Sequence, residues 1–324
     1  MTGAAAPTLQ ASLAARLSPG VRRVLLSYLI LLAVYLGCVA VNREFLSWGT
    51  MRLQLVQATF LGLIAIGQTL AVLIGQIDLS VPWTLTLSAI LGTNLAAHYG
   101  SQWVAFLVVI VLGVAVGLLN TLGVYVLRVH SLIWTLAVNL LLQGVALLYS
   151  NAAAPTTHVP SVAHFLAVGN LGGFPVAFLV WAFCAALAML ALRRLPFGRR
   201  VYAIGNRQAA ALLSGIRLGR VHAVVFIVSA LGAAFVGLLL SGYSSQAYLG
   251  MGNEYLLPPI AAVVIGGTRL SGGEGGYAGS IAGALVVVLL QAVLITLAVS
   301  QGAREVIFGA ILLALCFLFL RRGR

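Results

Sequence analysis

The carboxylate with the most to say about chemistry in this sequence is Asp78. It stands in Ile77-Asp-Leu-Ser80, between two apolar runs. A carboxylate at membrane depth is costly and normally faces a cavity, a partner group or a pathway. Ser80 followed by Pro82 also has the order of a helix start, a capping hydroxyl and then a tolerated first-turn proline. Two roles therefore stand for Asp78: its charge favours a helix N-terminus, or it contacts a path through the protein. A set of amides lies within apolar runs: Gln68, Asn94, Asn120, Asn139 and Gln143. Uncharged donors and acceptors suit a polyhydroxylated solute better than an ion, because each hydroxyl both gives and takes hydrogen bonds. Asn139 and Gln143 are four apart and share one helix face. The same amides also serve to bond neighbouring helices. Asp78, Gln68, Asn94, Asn139 and Gln143 are the candidate path residues.

Other chemistries are excluded. Gly272-Gly-Glu-Gly-Gly276 is glycine-rich, yet a Walker-type phosphate loop ends in Gly-Lys-Ser/Thr and the chain has no lysine. The five histidines are scattered, and no nucleophile–His–acid grouping emerges. Cys38, Cys184 and Cys316 each lie in an apolar run without metal-ligand spacing. Neither an enzyme activity, a metal nor a cofactor is expected.

The elements that position these residues are membrane helices. The chain is 62% hydrophobic and 7% charged, where a soluble domain would be about a quarter charged. Its apolar runs are continuous rather than alternating, which points to an all-α polytopic protein and not a barrel. Ten segments are expected: Val24–Val41, Leu53–Ile77, Val81–Ala97, Trp103–Leu127, Ser131–Tyr149, Phe174–Leu192, Val221–Leu240, Pro258–Thr268, Tyr277–Val299 and Val306–Leu320. The second, third and eighth are candidates for half-helices or re-entrant pieces. Polar-studded, glycine-interrupted stretches recur near 62–82 and 258–280, a pattern that can mark a transport path. Residues 1–20 read as a disordered tail, and 21–324 as one membrane domain.

The net charge of +13 tempts a nucleic-acid reading. The arginines cluster at segment ends, however, as the positive-inside rule requires. With both termini cytoplasmic, fifteen arginines fall inside and three outside (Arg43, Arg52 and Arg304). Seven of the eighteen occupy 193–220, which therefore reads as a cytoplasmic loop. Inside it a short helix is expected, capped by Asn206, continued by Gln208–Leu213 and ended by Gly215. Leu212, Leu213 and Ile216 give it an apolar edge.

Three stretches carry a family resemblance. Gly75-Gln-Ile-Asp-Leu-Ser-Val81 resembles a Gly-Gly-Ile-Asp-Leu-Ser-Val-Gly signature. Gly198 to Ile216 resembles a cytoplasmic coupling segment through Ala203-Ile-Gly-Asn206, Ala209-Ala210 and Ser214-Gly-Ile216. Ala261 to Thr268, with Gly272-Gly273, resembles a late glycine-rich segment. The signatures are those of permease subunits of bacterial ABC importers for monosaccharides, the ribose/xylose/galactose group. Gln76, Pro82 and Trp134-Thr-Leu-Ala137 depart from the group's usual residues, near the expected path, and bear on the substrate rather than the family. The resemblance implies an inner-membrane permease paired with a second copy or paralogue. It also implies two cytoplasmic ATPases and a periplasmic binding protein that delivers the sugar. Gly205, Asn206, Arg207, Ala209, Ala210, Ser214 and Gly215 would then meet the ATPase. A nucleoside, a branched-chain amino acid or a signalling furanose would suit the same class; an ion-driven transporter is the more distant alternative.

Overall fold

The computed structural model describes residues 19–150, 159–304, 306–307 and 309–310. The expected tail lies outside them apart from its last two residues. So do His158, Cys316 and most of the tenth expected segment.

The apolar runs become helices whose ends follow the Pro, Gly and Arg punctuation. They are α1 (Pro19–Val41), α2 (Trp48–Leu73), α3 (Val81–His98), α4 (Trp103–Thr121, extended by a wide turn to Val126) and α5 (Ser131–Ser150). Next come α6 (Ser161–Val168), a two-stranded hairpin of Asn170–Leu171 and Phe174–Pro175, and α7 (Val176–Arg193). The arginine loop holds α8 (Pro196–Asn206) and α9 (Gln208–Leu213). After it follow α10 (Leu218–Ser244), α11 (Pro258–Ile265) and α12 (Tyr277–Thr296). α6 and the first strand fall between the fifth and sixth expected segments, and the second strand takes the first two residues of the sixth.

Among the described residues, seven helices are long and apolar enough to cross a membrane: α1, α2, α4, α5, α7, α10 and α12. These are seven of the ten expected segments; most of the tenth lies outside the described residues. The second segment is no half-helix, since α2 runs unbroken for 26 residues. The eighth is short, because α11 has only 8 residues between Pro258 and Gly266. The third, α3, has 18 residues and is buried, but it is rich in hydroxyls. Those hydroxyls are consumed locally. Thr84, Thr86 and Thr93 each donate to the carbonyl four residues back, and Ser88 donates to Ala234 O of α10 at 2.9 Å. Such back-bonding lets a polar-looking helix lie inside protein without orphaned groups.

α10 is the central post, packed on α4, α3 and α2. Small residues permit the close approach: a Cβ at Gly117 would overlap Ile227, and one at Gly237 would overlap Leu85 O. α1 is peripheral. Ser27 Oγ anchors it to Ile265 O at 3.1 Å, and Arg23 pairs with Glu274. A buried relay ties three helices. Trp181 Nε1 donates to Tyr277 Oη at 2.7 Å, and Tyr277 Oη donates to Gly62 O at 2.7 Å. Tyr277→Phe strands the indole N–H in the interior. It is expected to cost about 1–2 kcal/mol. A thermal melt of the purified protein reads this as a lowered midpoint, and an unmoved midpoint would show that the relay holds nothing.

Candidate functional site

α2 ends at Leu73, and α3 begins only at Val81. Residues 76–80 between them have no regular structure, yet they are packed inside protein and not in a surface loop. Irregular backbone at membrane depth persists only where protein satisfies its polar groups. Here α5 does so, with one residue per turn. Ser131 Oγ accepts from Ile77 N at 3.2 Å, Thr135 Oγ1 from Leu79 N at 2.9 Å, and Asn139 Oδ1 from Trp83 N at 3.2 Å. The four-residue spacing places all three acceptors on one face.

Asp78 lies in this segment and is 2% exposed. Its Oδ1 accepts from Ser80 N at 2.9 Å, Ser80 Oγ at 2.6 Å and Asn120 Nδ2 of α4 at 3.4 Å. Asn120 Nδ2 also donates to Ser80 Oγ at 2.8 Å. The Ser229 hydroxyl of α10 lies beside the carboxyl. Ser80 occupies the expected cap position, but its hydroxyl makes no cap bond. Asp78 has captured it instead. The carboxylate thus pins the start of α3 to α4, next to α10.

A cleft of about 660 Å³ opens at the end of the bundle where α2 begins and α12 finishes. Gln54 and Gln57 of α2, Asn139 of α5, Tyr243 of α10 and Gln291 of α12 line it, as do the charged Glu44, Glu254 and Arg304. Gln57 Nε2 donates to Tyr243 Oη at 3.4 Å. Pro82 and Pro258 also line it, so α3 and α11 both start at its wall. Of the five candidate path residues, only Asn139 reaches the cleft. Asp78 sits in the buried network beside α3. Gln68 is fully buried, and neither of its side-chain polar atoms has a partner among the described residues. Asn94 and Gln143 are half-buried and join neither group. Gln54, Gln57, Gln291 and Tyr243 were missed as candidates. The signal was present for two of them, since Gln54 and Gln57 are three apart on one helix face.

The arginine loop folds differently from expectation. Asn206 does not cap a helix; it ends α8, and its Nδ2 donates to Tyr202 O at 3.0 Å. Arg207, extended at φ −158°, separates α8 from α9. The end of α9 follows expectation. Gly215, at φ +77°, donates to Leu212 O at 3.0 Å, and Ile216 N donates to Ala211 O at 3.1 Å, which is the Schellman arrangement. Asn206, Arg207, Ala209, Ala210, Ser214 and Gly215 are exposed. Gly205 is not part of that surface, because it is pressed against the Leu73 carbonyl and Gly273. Burial pushes the Tyr202 phenol up, opposed by Arg193, so it remains a hydrogen-bond donor, to Gly275 O at 2.9 Å.

Comparison with known proteins adds the following. Residues 51–316 match the family model described as branched-chain amino acid transport system / permease component. The chain is 33% identical over 264 residues to the ribose import permease protein RbsC of Haemophilus influenzae, covering 81% of this chain and 82% of that one. It is 34% identical over 267 residues to the protein of the same name in Bacillus subtilis, covering 79% and 80%. It is 29% identical over 279 residues to the autoinducer 2 import system permease protein LsrD of Escherichia coli, covering 85% and 84%. No solved structure matches the chain.

Proposed function

The chain belongs to the branched-chain amino acid transport system / permease component family, and from that premise we propose that it carries a monosaccharide across the membrane. It is a multi-pass permease of an ABC importer, in the inner membrane. In the proposed reading the cleft faces outward and receives the sugar from a periplasmic binding protein. The arginine loop faces the cytoplasm, and α9 seats on an ATPase subunit. A second copy or paralogue completes the pathway, and ATP binding shifts the spans between two states.

One observation carries this reading. A cleft lined by amides and a phenol, with Glu44, Glu254 and Arg304 beside them, and an exposed handle lie at opposite ends of the same helix, α2. Sugar hydroxyls both give and take hydrogen bonds, which amides, a phenol and carboxylates can all meet. The ribose relatives support a sugar, and the autoinducer 2 relative supports a signalling furanose as the second reading. An ion-driven mechanism would call for more buried charge. Among the described residues Asp78 is the one acidic side chain that is buried.

Reconstitution with a cognate ABC ATPase and binding protein tests the reading. Uptake of one labelled monosaccharide should require ATP. Uptake that ignores ATP and follows a proton gradient would overturn it. In the same assay Gln57→Leu is expected to slow uptake about tenfold while the ATPase stays bound, a loss of about 1.4 kcal/mol. Unchanged uptake would remove the cleft from the path.

A further inference from the structure

We infer that Leu73, Gly205 and Gly273 form a junction without intervening side chains, which positions two cleft-lining helices by the movement of the α8–α9 handle. The inference deepens the ATP-driven reading and rests on it. The last carbonyls of a helix have no partner within it. At the end of α2 the Leu73 carbonyl accepts from Gly273 N at 2.9 Å. Gly205 of α8 lies against the same carbonyl, where a Cβ would overlap both Leu73 O and Gly273 N. Gly273 has φ +76°, and a Cβ on it would come within 2.6 Å of Asn206 Oδ1. The Tyr202 hydroxyl bonds to Gly275 O two residues further along. Three backbone segments, from α2, α8 and the loop after α11, therefore meet in one contact.

The junction has mechanical consequences. Backbone packed on backbone has no side chain that can change rotamer to absorb a shift, and close-packed contacts switch rather than stretch. Two rigid elements lead from it to the cleft. α2 rises from Leu73 to Gln57, about 24 Å at the helical rise per residue. α11, whose loop carries Gly273, begins at Pro258 in the cleft wall. A displacement of α8 thus moves both walls together.

The test is Gly205→Ala in the reconstituted complex of permease, ATPase and binding protein. Gly37→Ala on α1, where a Cβ meets nothing, is the control. The ATPase should co-purify with both variants in wild-type amount. With Gly205→Ala, uptake per ATP hydrolysed should fall about tenfold, within the range of coupling between distant sites. Should that variant fail to fold, Tyr202→Phe removes only the bond to Gly275 and should lower the same ratio about threefold, a smaller coupling loss. An unchanged ratio in a folded variant overturns the junction. Loss of ATPase binding by Gly205→Ala also overturns it, since Gly205 would then belong to the docking surface. A wild-type complex without ATP-driven uptake overturns the underlying reading instead.

Discussion

Asp78→Leu is expected to leave almost no functional protein. The substitution removes the acceptor shared by Ser80 N, Ser80 Oγ and Asn120 Nδ2. Asn120 Nδ2 keeps Ser80 Oγ as its acceptor, but both Ser80 donors lose theirs, and each buried donor left without a partner costs about 1–3 kcal/mol. The sum, about 2–6 kcal/mol, is a large part of the stability of an ordinary domain. The damage also spreads, because the pinned residue is the one from which α3 starts and Pro82 lines the cleft. Asp78→Asn separates the two roles that the sequence left open. Its amide oxygen keeps an acceptor in place, so a purely positional carboxyl predicts a milder loss of thermal stability and residual uptake. A variant that melts like wild type but transports nothing would assign Asp78 to the path. Normal expression and uptake by Asp78→Leu would strike it from the site altogether.

Helix existence was legible because it follows from apolar run length. α2, α5, α10 and α12 appear where the runs are, with ends a few residues away. The half-helix character of α11 was legible too, from Pro258 at its start and Gly266 just past its end. What composition hid was depth. The first segment reads as a plain apolar run and the second as a polar-studded candidate for a half-helix, yet α2 runs unbroken and largely buried while α1 lies on the rim. Burial depends on which helices meet, and that follows from non-local packing at residues such as Gly117 and Gly237. The amides show the same limit. Asn139 and Gln143 share a face, yet only Asn139 meets the first turn of α3 and the cleft. Asn206 was misread for a local reason: Pro196 starts a helix ten residues earlier, and Asn206 is its last residue.

The second large effect is expected at Leu213. α9 has six residues, too few to persist alone in water. It is held by buried Ala211 and by the Gly215 turn, which leave Leu212 59% and Leu213 90% exposed. A leucine seated in a partner's groove contributes about 1.5–3 kcal/mol of burial. Leu213→Asp forfeits that and brings a carboxylate toward an apolar surface, so ATPase affinity should fall about a hundredfold, or 2.7 kcal/mol. Ala209→Asp on the same short helix should act in the same direction. Exposure alone does not decide the matter, because a leucine resting among lipid headgroups would be equally bare. Leu148, 80% exposed on α5, supplies the comparison. Titrating the ATPase onto permease held in nanodiscs should show Leu148→Ala binding normally and Leu213→Asp binding weakly. Equal affinities would mean that Leu213 belongs to the lipid interface and that the motor grips elsewhere.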